Sequence, residues 1–135
     1  DGMSKYISSR LIDKMRQKLI NVNESKTLIM GLTFKENCPD LRNTKVTDII
    51  KDLQEYGTQV EVYDPWVDSN IAENEYKIKM VNEPEVNRYD AIIIAVAHDK
   101  FKEIGANRII SFAAKVNVIY DLKYLLGKKF SSLRL

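Results

Sequence analysis

The sequence predicts an α/β protein: a three-layer α/β/α sandwich with a mostly parallel, Rossmann-like sheet of about five strands, preceded by a long N-terminal helix. The first observation is the run Ala91 to Ala97, which is apolar throughout and does not alternate with polar residues. A strand of this kind is buried on both faces, as in a parallel sheet covered by helices on each side. The second observation is that short apolar runs alternate with segments of helical periodicity, which is typical of a doubly wound sheet.

The first predicted element is an amphipathic helix over residues 3–22. Apolar residues recur there at helical spacing with basic residues between them; the apolar positions are Ile7, Leu11, Met15, Leu19 and Val22. Two interpretations of so long a first helix stay open. It either connects this domain to a preceding one, or it packs against the sheet of its own domain.

The later elements are predicted from apolar runs and their flanking caps. A strand over 26–31 precedes a helix that is capped near Asn43 or Thr44, carries an apolar stripe from Val46 to Tyr56 and closes at Gly57. After it we predict a strand over 59–63, a short polar helix over 69–74, a brief strand over 77–81, the buried strand over 91–97, a helix over 106–114, a last strand over 116–121 and a basic, partly helical tail over 123–135.

Composition excludes several classes of function. With 135 residues the chain is large enough for one domain with a core. Its 21 basic and 19 acidic residues are interspersed and give a net charge of +2, so we expect no binding to nucleic acid or to a membrane. The longest apolar run is far shorter than the roughly 20 residues that span a bilayer, and the first residues lead into a charged helix and not into a signal peptide.

The cysteine and histidine content narrows the chemistry. The single cysteine excludes an internal disulfide and fits a cytoplasmic protein, and the single histidine excludes a histidine-rich metal site.

The loop after the first strand, residues 31–44, is the strongest candidate for a binding site. Ligands of open α/β sheets bind at the carboxyl ends of the strands, and the loop after the first strand is a favoured position. This loop carries two cations, Lys35 and Arg42, with Asp40 between them. The composition suits an anionic ligand such as a diphosphate. A solvated loop without a ligand stays open as the alternative.

Two common nucleotide-binding motifs are absent from the sequence. The glycine at position 31 stands alone, so there is no Gly-x-Gly-x-x-Gly fingerprint, and there is no Gly-x-x-x-x-Gly-Lys loop. A receiver-type signalling domain would need an acidic pair after the first strand and a hydroxyl residue after the buried one. This chain has Leu32-Thr33 and Ala97-His98 at those positions. Only Lys123, after the last strand, matches the receiver pattern, so we do not favour a receiver domain.

Four further residues each have a functional and a structural interpretation. Cys38 has no base near it in sequence, so we favour a loop residue that packs beside its neighbours over a nucleophile. His98 is an acid–base group or, as we favour, a structural cap or helix-start residue. Asp64 is a ribose-binding acid or part of an ordinary Asp-Pro turn, and both stay open. Trp66 is a base-stacking platform or, more commonly, a lid on the sheet edge.

Four segments carry a resemblance to a known family: GLTFKENCPDLRNTKV at 31–46, VYDP at 62–65, AVAHDKF at 95–101 and YDLK at 120–123. The first closely resembles the signature that opens the C-terminal domain of the UDP-glucose/GDP-mannose dehydrogenase family. It is most similar to that of the bacterial UDP-N-acetylglucosamine, N-acetylgalactosamine and N-acetylmannosamine 6-dehydrogenases. The other segments follow in the family's order, and the opening DGM with KYI resembles the stretch that leaves the family's central domain.

The resemblance implies a role within a larger enzyme. Members of this family oxidise the C6 hydroxyl of a nucleotide sugar to a carboxylate in two successive NAD-dependent steps, and their products are used for surface or capsular polysaccharide. Residues 1–24 would be the connecting helix from the central domain, and residues 25–135 would bind the UDP-sugar. The NAD domain and the catalytic cysteine would lie outside this chain, so we expect it to be inactive alone. A homodimer is expected for the full-length enzyme.

The resemblance also implies roles for individual residues. Phe34 and Lys35 match the pair that contacts the substrate nucleotide. Arg42 matches the arginine that reaches across the interdomain cleft to NAD. Lys123 falls where many relatives place a substrate-binding arginine, and a lysine there lacks the planar fork needed for bidentate contact. None of the residues in this chain matches a catalytic residue of the family.

Two other functions stay open beside this one. The chain could be a stand-alone nucleotide-binding or regulatory module without enzymatic activity. It could also be a protein-interaction domain that uses the basic tail, in which case it would bind no nucleotide.

Overall fold

The computed structural model of the chain describes residues 2–135, in which helices and strands alternate. The four helices are α1 (Gly2–Gln17), α2 (Val46–Tyr56), α3 (Ser69–Tyr76) and α4 (Asp99–Ser111). The five strands are β1 (Lys26–Met30), β2 (Gln59–Tyr63), β3 (Tyr89–Ile94), β4 (Ala113–Asp121) and β5 (Leu133–Arg134). Two short 3-10 turns lie at Val22–Glu24 and Lys128–Phe130.

The strands form one sheet in the order β2-β1-β3-β4-β5, and every pair is parallel. The chain runs from β1 outward to β2 and then returns to the other side of β1 for β3. The strand order therefore reverses between β1 and β3, where an open α/β sheet has its ligand-binding crevice. The predicted doubly wound α/β/α fold is confirmed.

Successive residues of the central strands contribute to opposite cores. Ile29 and Ile93 pack in the core that contains α1 and α2, whereas Leu28, Ile92 and Ile94 pack in the core that contains α4. All five side chains are fully buried. This explains the unbroken apolar run in β3, because neither face of the strand meets water.

Helix α1 packs on its own sheet and is shorter than predicted. Its apolar face, which includes Leu11 and Met15, is fully buried. The helix ends at Gln17 because Leu19 takes a left-handed conformation (φ 63°) and the Ile20 N–H bonds back to the Met15 carbonyl at 3.0 Å. This is a Schellman-type C-cap, and it leaves Leu19 92% exposed although its spacing had predicted a buried position.

The fifth strand lies at a different place from the one predicted. The segment 77–81 contributes one isolated bridge, between Met80 and Val62, and is not a strand. Lys77 is the C-cap of α3 in a left-handed conformation (φ 57°), so it does not begin a strand. The fifth strand is instead β5 near the C-terminus, which pairs with Tyr120 and Asp121 of β4.

Several boundaries also differ from the predicted ones. Helix α4 begins at Asp99, whereas the predicted helix begins at residue 106. The prediction missed the first half because Gly105 (φ 82°, ψ 163°) interrupts the helix and breaks its periodicity. Strand β3 ends at Ile94 and β4 begins at Ala113. Among the described residues, no helix has both the length and the apolar character needed to cross a membrane.

Candidate functional site

The site begins where β1 ends, at Gly31. This glycine has φ of +100°, and a Cβ placed on it would lie 2.6 Å from the Cβ of Val96. Only glycine allows this approach, since any side chain would collide with the segment that follows β3. The loop 31–45 therefore leaves β1 directly against the carboxyl end of β3, at the reversal of strand order.

The loop is closed by its own hydrogen bonds. The Phe34 N–H donates to the Asp40 carbonyl at 2.8 Å, and the Thr33 hydroxyl donates to the Lys35 carbonyl at 2.9 Å. Asn37 and Asn43 take left-handed conformations, which asparagine tolerates better than most residues. These contacts define the conformation of the segment that carries Phe34 and Lys35.

A buried carboxylate holds the start of the loop. Asp64, directly after β2, accepts hydrogen bonds from the N–H groups of Leu32 at 2.7 Å, Thr33 at 3.3 Å and Trp66 at 2.9 Å. Its Oδ2 also lies 2.9 Å from Nε2 of His98. Both oxygens are occupied by groups of the same chain, so Asp64 is not placed to bind a ribose.

His98 is fully buried and holds the middle of the loop. Its Nδ1 lies 2.9 Å from the backbone nitrogen of Asn37. A backbone N–H can only donate, so Nδ1 is the acceptor and the ring proton is on Nε2, facing Asp64. His98 precedes α4, as the structural interpretation expected, but its side chain makes no capping bond to that helix.

A cavity of about 280 Å³ opens beside the loop. Phe34 and Lys35 line it from the end of β1, and Lys123 lines it from the loop after β4. The structure thus brings together the three residues that the resemblance assigned to substrate binding, although Lys35 and Lys123 are far apart in sequence. Phe34 is 56% exposed, which leaves its ring accessible to a ligand.

The cavity has a cationic rim that the sequence analysis identified only in part. Among the described residues, Lys35, Lys45 and Lys123 line it together with one carboxylate, Glu36. Lys45 was not predicted, because the candidate loop was ended at residue 44 and the cap of the following helix was placed near Asn43 or Thr44. The signal that could have found it is its position at the end of the candidate loop.

Lys123 is positioned by a second buried aspartate. Asp121, the last residue of β4, is fully buried and accepts hydrogen bonds from the N–H groups of Lys123 at 3.2 Å, Leu125 at 3.1 Å and Leu126 at 2.8 Å. The loop after β4 is therefore folded around this carboxylate.

Arg42 lies outside the cavity. Its side chain is 84% exposed, and its guanidinium forks over Asp40, with Nε 3.1 Å from Oδ1 and the second contact at 3.2 Å. The hydrogen bonds from Arg42 lower the pKa of the Asp40 carboxyl, and the carboxylate in turn raises the pKa of the guanidinium. The pair stands on the outer surface of the loop.

Cys38 and Trp66 are the remaining candidates from the sequence. Cys38 is a free, partly exposed thiol in the same loop. Trp66 is 42% exposed, and its ring centroid lies 6.3 Å from that of His98. Among residues 2–135, no group of three or more acidic, histidine or cysteine side chains could hold a metal ion.

The sequence matches a known protein family. The model described as "UDP-glucose/GDP-mannose dehydrogenase family, UDP binding domain" matches residues 28–128. This chain belongs to that family. The match confirms the resemblance drawn from the four sequence segments, and it identifies the matched part as the family's UDP-binding domain.

Individual relatives agree with the family assignment. The chain is 52% identical over 135 residues to a UDP-N-acetyl-D-glucosamine 6-dehydrogenase of Pseudomonas aeruginosa and 47% identical over 135 residues to one of Salmonella typhi. All of this chain is covered in both cases, but it spans only about a third (32%) of the length of each relative.

A solved structure shows the same fold. The structure of a UDP-D-ManNAc dehydrogenase from Pyrococcus horikoshii superimposes with a TM-score of 0.69 at 22% sequence identity. The superposition covers 92% of this chain and 28% of that protein. The chain therefore has the architecture of one part of that larger molecule.

Proposed function

We propose that this chain is the substrate-nucleotide-binding part of an NAD-dependent nucleotide-sugar 6-dehydrogenase. The full enzyme would oxidise the C6 hydroxyl of a UDP-N-acetylhexosamine or UDP-glucose to a carboxylate, in polysaccharide biosynthesis. The similarity to two UDP-N-acetyl-D-glucosamine 6-dehydrogenases supports the reaction class. The observation that carries the proposal is the convergence of Phe34, Lys35 and Lys123 on one cavity at the carboxyl edge of the sheet.

Each residue has a distinct part in binding. The ammonium groups of Lys35 and Lys123, one from the loop after β1 and one from the loop after β4, face the diphosphate as two point charges, and neither fixes its geometry as an arginine fork would. The exposed ring of Phe34 offers an apolar face against which the uridine packs.

Binding the nucleotide here contributes to a reaction that takes place elsewhere in the enzyme. The UDP group is remote from C6, and holding it fixes the sugar beside the reacting groups of the other domains. Helix α1 packs on the sheet of this domain, and residues 1–24 would in addition lead from it to those other domains. The full enzyme would be a homodimer. The chain alone would form no NADH from NAD and a UDP-sugar.

The residues of this chain can make a minor contact to NAD but do not form its main binding site. NAD supplies the hydride acceptor when bound. The chain lacks the glycine fingerprint that admits a dinucleotide pyrophosphate. Arg42, however, is accessible on the outer surface of the loop, where it can make one charge-assisted contact to an anionic cofactor held by another domain.

A UDP titration of the isotopically labelled chain tests the proposal. We expect the amides of residues 31–37 and 121–124 to shift first in NMR spectra at millimolar UDP, and added salt to weaken the response. Lys35→Ala should weaken binding by about tenfold or more, as expected for one charge-assisted contact. The matched control is Lys115→Ala, which removes the same charge from an exposed position near the start of β4.

Two results would contradict the assignment. One is a set of shifts confined to residues 64–66 with the loop 31–37 unaffected, which would place the nucleotide elsewhere. The other is an equal loss of affinity in Lys35→Ala and Lys115→Ala, which would show that only net charge matters.

A further inference from the structure

Two buried polar side chains stand next to the cavity without lining it. Asp64 and His98 have fully buried side chains, and they face each other at 2.9 Å. Neither reaches the nucleotide site, so the proposed binding contacts leave them without a role. Burying an aspartate and a histidine is costly unless every polar atom finds a partner. Their partners are therefore the guide to what they do.

The partners of Asp64 lie immediately before the two binding residues. The N–H groups of Leu32 and Thr33 both point at Oδ2, and the third donor to that oxygen is Nε2 of His98. These bonds fix the backbone immediately before Phe34 and Lys35.

The partners of His98 lie immediately after them. Nδ1 accepts from the Asn37 N–H at 2.9 Å, and the Asn37 side chain in turn accepts from the Asp99 N–H at 3.0 Å. The loop is thus tied to the start of α4 on this side. Phe34 and Lys35 are bracketed by bonds to one buried pair.

We propose that Asp64 and His98 are positioning residues for nucleotide binding, which act by holding Phe34 and Lys35 in the binding conformation before the ligand arrives. The inference rests on the proposed function. A loop that is already ordered loses less conformational entropy on binding, so part of the affinity for the diphosphate comes from two residues that never contact it. His98 acts as a neutral ring whose Nδ1 is an acceptor.

Two substitutions of His98 separate this role from packing. In His98→Asn the amide oxygen occupies nearly the place of Nδ1 and can still accept from the Asn37 N–H. In His98→Gln the amide lies near Nε2, so the contacts to Asp64 and to the Thr33 hydroxyl are kept and the bond from Asn37 is lost. Both remove the ring. We expect His98→Gln to raise the Kd for UDP about tenfold, as for one lost buried hydrogen bond, and His98→Asn to stay within about threefold of wild type.

A distant variant controls for stability. Glu61→Gln disturbs another buried charged group, whose partners are Arg88, Tyr89 and Lys79 and include none of the loop residues. We expect it to lower the free energy of unfolding and to leave the Kd for UDP unchanged. If the Kd followed the free energy of unfolding across the three variants, or if Asn and Gln at position 98 weakened binding equally, the positioning role would be wrong.

Amide hydrogen exchange tests the inference without the ligand. In His98→Gln the Asn37 amide should exchange faster than in wild type, and in His98→Asn it should stay protected. If the wild-type chain failed to bind UDP, the proposed function would fall, and this comparison would still decide whether the pair holds the loop. Equal exchange of the Asn37 amide in both variants would overturn the inference.

Discussion

The Glu61 carboxylate is the clearest source of pH-dependent stability in this domain. It lies on β2 with 3% of its side chain exposed and reaches across β1 to the start of β3. Arg88 contacts it twice, at 3.2 and 2.9 Å, the Tyr89 hydroxyl donates to it at 2.7 Å, and Lys79 lies at 3.1 Å. The hydrogen bonds from Arg88 are the main reason that the pKa of Glu61 is lowered from 4.5 to about 2, against an opposing effect of burial.

The lowered pKa converts directly into stability. The difference between 4.5 and about 2, at about 1.4 kcal/mol per pH unit, corresponds to roughly 3 kcal/mol in favour of the folded state. A carboxyl with a depressed folded-state pKa contributes fully above its unfolded pKa. The contribution is therefore complete above pH 4.5 and is lost as the pH falls toward about 2.

Glu61→Gln removes the charge and keeps an acceptor for Tyr89. We expect a loss of roughly 3 kcal/mol at neutral pH, which is smaller than the 5–15 kcal/mol typical of a domain, so the variant should stay folded. Urea unfolding followed by circular dichroism should show the difference from wild type shrinking below pH 4.5.

The matched control is Glu83→Gln, which breaks an exposed pair. Glu83 contacts Arg108 at 2.9 Å, with side-chain exposures of 75% and 45%. Solvent screening limits such a pair to less than about 1 kcal/mol. A difference between wild type and Glu61→Gln that stayed constant down to about pH 3, or a control that cost as much, would refute the reasoning.

Two further predictions concern the loop 31–45. In the full enzyme, Arg42→Ala should raise the KM for NAD by about tenfold or more, as for one charge-assisted contact, and leave the KM for the UDP-sugar nearly unchanged. Steady-state kinetics would measure both values. An unchanged KM for NAD would leave Arg42 as the partner of Asp40 alone. Gly31→Ala should destabilise the chain by about 2 kcal/mol or more, because it combines a positive φ with a clash against Val96. Thermal unfolding would measure this loss. An unchanged Tm would contradict the close packing at that position.

Sequence patterns predicted the parts of the fold that depend on neighbouring residues, such as an apolar run or a helix cap. The buried strand β3 is visible because both of its faces are apolar, and the end of α2 is visible because Gly57 is a left-handed C-cap whose N–H returns to Leu53. The convergence of Lys35 and Lys123 was also predictable, since parallel strands place their following loops at one edge. The resemblance was needed to say which loop residues to assign to nucleotide binding.

The missed features depend on contacts that no local pattern contains. Strand β5 has two residues, too few for any periodicity, and exists because β4 offers it an edge. The bonds of His98 to Asp64 and Asn37 join positions that are 34 and 61 residues apart. Each residue has an ordinary local explanation, so only the tertiary structure shows them as one network.

The two strand-end aspartates give a physical reason why the proposed anion site would rely on lysine side chains. Asp64 and Asp121 together accept hydrogen bonds from six backbone N–H groups of the loops at the carboxyl edge. A glycine-rich phosphate loop leaves such N–H groups free for its ligand, whereas these point inward at buried carboxylates. An anion in the cavity therefore meets Lys35 and Lys123 in place of those amides. Attraction to exposed ammonium groups is screened by salt, so ionic strength should weaken binding in this domain more than in a site built from backbone amides.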